Sequence, residues 1–203
     1  MRDFFAARRP HEGFTYDAYR AYWQEQIKQP LPDDADASDR KIKHYLNYNW
    51  ERQQHVHDAY IPSATLTDAL DRLPAPQLWM VLTEPWCGDS AYNLPVIADA
   101  AAESPNVSLR ILLRDDNLDI MDQYLTGGSR SIPKLVIFSE DGDEHATWGP
   151  RPEPARALRE RLIAEGTDSQ EVVNQLLAHY EDGGWQAVDD ELAARLAGVT
   201  KPA

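Results

Sequence analysis

The pattern of apolar and polar positions changes character near residue 76. Before it, apolar residues recur at helical spacing. Tyr19, Tyr22, Trp23 and Ile27 share one face behind Thr15, a residue suited to capping a helix. Ser38 is the expected cap of a longer helix, along which Ile42, Tyr45, Leu46, Trp50, Gln53 and Val56 form a stripe. Leu66, Ala69, Leu70 and Leu73 predict a short helix closed by Pro74-Ala75-Pro76. Residues 1–14 show no period and are expected to be irregular, as is the acidic stretch 33–37.

From residue 77 strands alternate with helices. Gln77–Thr83 is a short apolar run, the signature of a buried strand. A turn over 85–90, a helix over 90–102, a strand over 107–113 and a helix over 118–125 follow, the last ended by Gly127-Gly128. Asp141-Gly142 predicts a turn that pairs strands 134–138 and 144–148 as a hairpin. Pro152 suits the first turn of a helix running to about residue 164. Two helices complete the chain. One starts near Asp168, with Glu171 positioned for a capping box and Val173, Leu176, Leu177 and Tyr180 as its apolar face. The other carries Val188, Leu192 and Leu196. The order β-α-β-α-β-β-α over 77–165 predicts an α/β fold, a sheet flanked by helices with one terminal hairpin. The expected organisation is an N-terminal helical extension over 1–61, a central domain over 62–166 and a C-terminal helical extension over 167–203.

Composition narrows the function classes. The chain has 203 residues and a net charge of −14. Such a charge disfavours nucleic acid and anionic membrane surfaces as partners, because both need clustered Lys and Arg. No apolar run approaches the roughly 20 residues of a membrane helix, and the N-terminus does not read as a signal peptide, so a cytoplasmic location is expected. A single cysteine excludes an internal disulfide and a zinc site of the usual cysteine-based kind. His44, His55 and His57 lack ligand spacing, so no metal is expected.

That cysteine, Cys87, lies in Trp86-Cys87-Gly88-Asp89-Ser90, between a strand and a helix. The free N–H groups and dipole of a helix N-terminus stabilise a thiolate, the nucleophilic form. Trp86 can wall the sulfur, and Gly88 lets another backbone approach. The plainer alternative is a small buried hydrophobe, but Pro-Trp and Gly-Asp flanks are poor core filler.

The segment resembles the thioredoxin active-site motif, Trp-Cys-Gly-Pro-Cys, with Asp89 for the proline and Ser90 for the second cysteine. Pro95, eight residues after Cys87, matches the proline that kinks the family's active-site helix. Ile132-Pro133 before an apolar strand is similar to the family's cis-proline segment, which faces the cysteine. Gly149 matches the glycine before the last family helix. The resemblance covers about residues 66–165 and implies a thioredoxin-like fold with extra terminal helices. It also implies a chemistry. Cys87 would attack a disulfide and form a mixed disulfide, and Ser90, whose hydroxyl is too weakly acidic, could not resolve it. Release then needs an external thiol such as glutathione or another low-molecular-weight thiol. Protein or small-molecule disulfides and thiols are the implied partners.

The resemblance implies catalytic roles for Cys87 and Ser90, and substrate contacts by Trp86, Gly88, Asp89, Ile132 and Pro133. Ser90 can cap the helix and hydrogen-bond the thiolate. Asp89 can repel the thiolate, or be an ordinary first-turn acid favoured by the dipole. The family's buried acid, six residues before the cysteine, is replaced by Val81. Arg130 is a candidate to hold the carboxylate of a small thiol, or else a solvated loop residue; Arg114 is equally ambiguous, and Glu84 either borders the groove or ends the strand. The leading expectation is a monothiol thiol–disulfide oxidoreductase. The alternatives are a non-catalytic binding module and a redox switch.

Overall fold

The computed structural model describes residues 1–199. Its centre is a four-stranded sheet of β1 (Gln77–Thr83), β2 (Val107–Leu113), β3 (Lys134–Ser139) and β4 (Glu144–Trp148), in the order β2-β1-β3-β4. β1 runs parallel to β2 and antiparallel to β3, and β3 pairs with β4 as a hairpin. Every residue of β1 is buried, so both faces of the sheet are covered. On one face Trp79, Val81, Ile111, Leu135 and Ile137 enter the larger core. On the other, Leu78, Met80, Leu82, Leu112, Val136 and Phe138 enter a smaller one that also holds Cys87.

Helices α5 (Gly88–Ala102) and α7 (Glu153–Ala164) carry larger-core residues, and α6 (Leu118–Met121) covers the opposite face. This is a thioredoxin-like α/β arrangement with added helices at both ends. On the N-terminal side these are α1 (Asp3–Ala6), α2 (Tyr16–Lys28), α3 (Ala37–Ala59) and α4 (Ala64–Asp71). On the C-terminal side they are α8 (Ser169–Glu181) and α9 (Ala187–Val199). The added helices share the larger core with the sheet: Tyr19, Val56, Leu66, Tyr180, Val188, Leu192 and Leu196 are fully buried in it. Asp189 ties the two ends together, accepting from Tyr60 Oη at 2.6 Å and from the Ser63 amide at 2.9 Å. Among the described residues no helix is long and apolar enough to cross a membrane.

Several local expectations need correction. Ser38 does not cap α3; Asp36 does, in a reciprocal capping box with Asp39. A carboxylate at the cap is also favoured by the helix dipole, which a hydroxyl cannot match. The stretch 1–14 is not irregular: α1 buries Phe4 and Phe5, both in ring contact with Phe138. A one-turn helix is too short to show a period. α6 likewise ends at Met121 rather than near residue 125. Glu171 closes no capping box at α8, where Asp168 alone caps, accepting from the Gln170 amide. The buried face of α8 is Val172, Leu176 and Tyr180, leaving Val173 39% exposed.

Candidate thiol site

The site forms where β1 hands over to α5. Cys87 is the N-cap residue of α5: its backbone is extended, its amide bonds to Glu84 O and its carbonyl accepts from the Ala91 amide. Cys87 is 8% exposed, and its Sγ–H donates to the carbonyl oxygen of Ile132 at 3.4 Å. The Ile132–Pro133 peptide bond is cis, which brings the loop before β3 against the sulfur. Gly149 packs behind Pro133: at its φ of +106° a Cβ would stand 2.1 Å from the Pro133 oxygen, so only glycine fits. Trp86 is half-buried beside the cysteine, with the Arg114 guanidinium 4.8 Å from its ring centre.

Burial works against the helix terminus in setting the thiol's acidity. The Cys87 thiol is pushed up to about 11, first by desolvation and second by the Asp89 charge. Hydrogen bonds from the Ser90 side chain and backbone, and the Arg151 charge, act the other way. This burial opposes the stabilisation of a thiolate expected at a helix N-terminus. The helix dipole favours the thiolate, whereas removing a thiolate from water is costly.

Ser90 is not the cap residue of α5 but sits inside its first turn, where its Oγ accepts from the Thr83 hydroxyl at 2.6 Å. That bond leaves the Ser90 proton free for the sulfur. Thr83 thus donates to Ser90, and Ser90 donates in turn toward the Cys87 sulfur; Thr83 carried no signal in the sequence beyond its strand position.

Asp89 is resolved by contacts from elsewhere in the fold. Arg151 grips it with Nε at 2.9 Å and Nη2 at 2.5 Å, and Tyr180 Oη donates to it at 3.0 Å. Both partners follow the hairpin, one before α7 and the other on α8. Burial still holds the Asp89 carboxyl above its ordinary value despite these partners. Glu84 is also buried: its carboxylate accepts from the Asp115 amide at 2.9 Å, and burial pushes it up to about 7.

Arg130 is not brought to the sulfur. Its guanidinium forks onto Asp122 at 2.6 and 2.8 Å on the exposed surface. The arginines near Cys87 are Arg52 and Arg151, which line a mostly apolar cavity of about 250 Å³ with Trp86, Gly88, Leu177 and Tyr180. This cavity exists because α3 and α8 rise on either side of the cysteine. α3 also steadies the loop, since Asn49 Nδ2 donates to the Pro85 carbonyl at 3.3 Å. Neither helix belongs to the residues that carry the motif, so their contribution was invisible without the fold.

A family model described as thioredoxin matches residues 36–165, more than half of the chain. The protein therefore belongs to the thioredoxin family, a class whose domains serve redox or thiol-related roles in general. Two solved structures are similar in fold. A protein of unknown function from Pseudomonas aeruginosa aligns with TM-score 0.60 and 18% identity, covering 93% of this chain and 95% of that one. An HIV epitope-scaffold aligns with TM-score 0.60 and 18% identity, covering 95% of this chain and 97% of that one. Both alignments run through the added terminal helices, so the whole arrangement recurs. No curated protein matches the sequence.

Proposed function

We propose that the protein exchanges thiols with disulfides through Cys87 alone, forming mixed disulfides that an external thiol must release. The observation that carries this is the sulfur's position: at the head of α5, in contact with the Ile132 carbonyl before Pro133, beside an apolar cavity. The Cys87 thiol loses its proton, and the thiolate attacks one sulfur of a disulfide R–S–S–R′. The new bond is Cys87–S–S–R, and R′–S⁻ leaves and takes up a proton. A second thiolate then attacks the sulfur of R, releases Cys87 and restores the starting state. One disulfide is present throughout, so no separate oxidant or reductant is required. Ser90 acts as donor to the thiolate and cannot resolve the adduct.

The experiment is incubation of the full chain with oxidised glutathione at mildly alkaline pH, followed by intact-mass measurement. One glutathione adduct, absent from Cys87→Ser and removed by added reduced glutathione, is the expected result. Absence of any adduct under excess disulfide would reject the exchange chemistry. A second reading, a non-catalytic binding module whose groove recognises an extended partner, is favoured by the raised pKa of Cys87. It expects a Cys87→Ser protein to retain full cellular function.

A further inference from the structure

The cavity beside Cys87 has walls that the cysteine motif does not supply. α8 gives it Val173, Leu176, Leu177 and Tyr180, and α3 gives it Tyr45 and Arg52. Leu177 reaches the head of α5: a Cβ placed on Gly88 would stand 3.8 Å from Leu177 Cδ2. That is ordinary van der Waals contact, so the C-terminal helix lies directly against the motif. Leu176 is buried in the larger core, whereas Val173 is 39% exposed and leaves apolar surface at the rim. Trp86 packs against both cores, which holds its ring in place beside the sulfur.

The charges in these walls are already engaged. Arg151 forks onto Asp89, and Tyr180 Oη donates to the same carboxylate. The Arg52 guanidinium lies 5.0 Å from the Tyr48 ring centre and 5.8 Å from that of Tyr92, and its Nη1 donates to Asn49 Oδ1 at 3.0 Å. A carboxylate or an ammonium entering the cavity would lose water and would have to break into one of these arrangements to be compensated. An uncharged apolar group meets no such cost and gains by leaving water.

We propose that this cavity selects disulfides and thiols whose sulfur carries an uncharged apolar group of about one aromatic ring, held between α3 and α8 while that sulfur bonds to Cys87. This rests on the exchange chemistry proposed above and names its substrate class. Cys87 itself lines the cavity, so a group attached to the bonded sulfur enters it directly. At about 250 Å³ the cavity falls short of the roughly 300–1,000 Å³ of sites for drug-sized ligands, and one ring on a short chain suits it. Glutathione, which is charged at both ends, still exchanges with Cys87 but without this gain. Val173, Leu177 and Tyr45 set the preference, and two of the three lie on α8, beyond the residues that carry the motif.

The test uses the full-length protein at one fixed alkaline pH, with methyl, benzyl and sulfonatoethyl methanethiosulfonate. The reagents share one reacting group: the thiolate attacks the sulfenyl sulfur, Cys87–S–S–R forms and methanesulfinate leaves. Each rate constant is taken relative to methyl and divided by the same ratio for N-acetylcysteine. The benzyl quotient is expected at about ten, and the sulfonatoethyl quotient at or below about one. Val173→Asp and Leu177→Gln each lower the benzyl quotient several-fold, while Ile163→Ser, on the exposed surface of α7, leaves it unchanged. In parallel, unreactive benzyl methyl sulfide is titrated into Cys87→Ser protein by NMR, where the Gly88 and Leu177 signals are expected to shift. A benzyl quotient near one, or a sulfonatoethyl quotient above it, would overturn the apolar selection and leave the exchange chemistry standing, since Cys87 has then reacted. If Cys87 reacts with none of the reagents, the exchange chemistry fails, and the titration alone decides: shifts at Gly88 and Leu177 uphold the apolar site, and their absence rejects it.

Discussion

Asp89 and Arg151 meet across the head of α5 in a two-point ion pair, Nε at 2.9 Å and Nη2 at 2.5 Å. The pair joins the cysteine motif to the residue between the hairpin and α7. Its charges act on Cys87 in opposite senses: the carboxylate raises the thiol's pKa and the guanidinium lowers it. The side chains are only 22% and 13% exposed, so solvent does little to screen either charge.

Cutting the pair from its two sides therefore gives opposite reactivities. Asp89→Asn removes the repulsion and leaves Arg151 facing the thiolate, so iodoacetamide alkylation at pH 8 speeds up about tenfold, one unit of acidity. Arg151→Ala leaves the carboxylate unbalanced and slows alkylation. Both variants lose stability, on the order of 3 kcal/mol by denaturant unfolding, because each strands a desolvated charge. Equal changes in alkylation rate would show that the pair is purely structural.

The pH profile of the wild-type protein is the second expectation. With the thiol pushed up to about 11, roughly one molecule in ten thousand is thiolate at pH 7. The alkylation rate should rise about tenfold per pH unit up to about pH 10. A profile that levels off near neutrality would mean that the helix terminus and the Ser90 donors outweigh burial.

Ser90→Cys restores a resolving thiol at the position where the family has one. The variant is expected to reduce insulin disulfides with a dithiol reductant system, several-fold faster than wild type without added monothiol. Ser90→Ala removes the acceptor for Thr83 Oγ1 and the donor to the thiolate, leaving a buried hydroxyl unpaired. It should slow alkylation of Cys87 and cost about 1–3 kcal/mol of stability.

Glu84 gives a pH-dependent stability with a definite sign. Its folded pKa, about 7, lies above the ordinary 4.5. The unfolded chain therefore ionises first, and stability falls as pH rises through the window from 4.5 to 7. Glu84→Gln keeps an oxygen for the Asp115 amide and carries no charge. It should match wild type below pH 4.5 and exceed it above pH 7 by up to about 3 kcal/mol. Urea midpoints at pH 4, 6 and 8 measure the difference.

Much of the architecture was legible because it depends on short-range pattern. β1, β2 and β4 begin and end where the sequence pattern places them, and Thr15 caps α2 as its side chain dictates. The motif located the cysteine at a strand-to-helix junction, because strand, turn and helix are contiguous there. The error at Ser38 has the same origin: two acceptors lay within three residues, and only the geometry of α3 shows that Asp36 takes the amides.

What the sequence determined, then, is local: the elements, the single sulfur, and the replacement of a second sulfur by a hydroxyl. Its own reading also left Asp89 with two opposed roles and offered Arg130 as an anion holder. The tertiary structure decided both. Arg151 and Tyr180 come from far along the chain to hold Asp89, while Arg130 spends its charge on Asp122. It also set the burial of Cys87. A helix terminus is a property of neighbouring residues, but burial depends on every element packed around the sulfur, and it pushes the Cys87 thiol up to about 11.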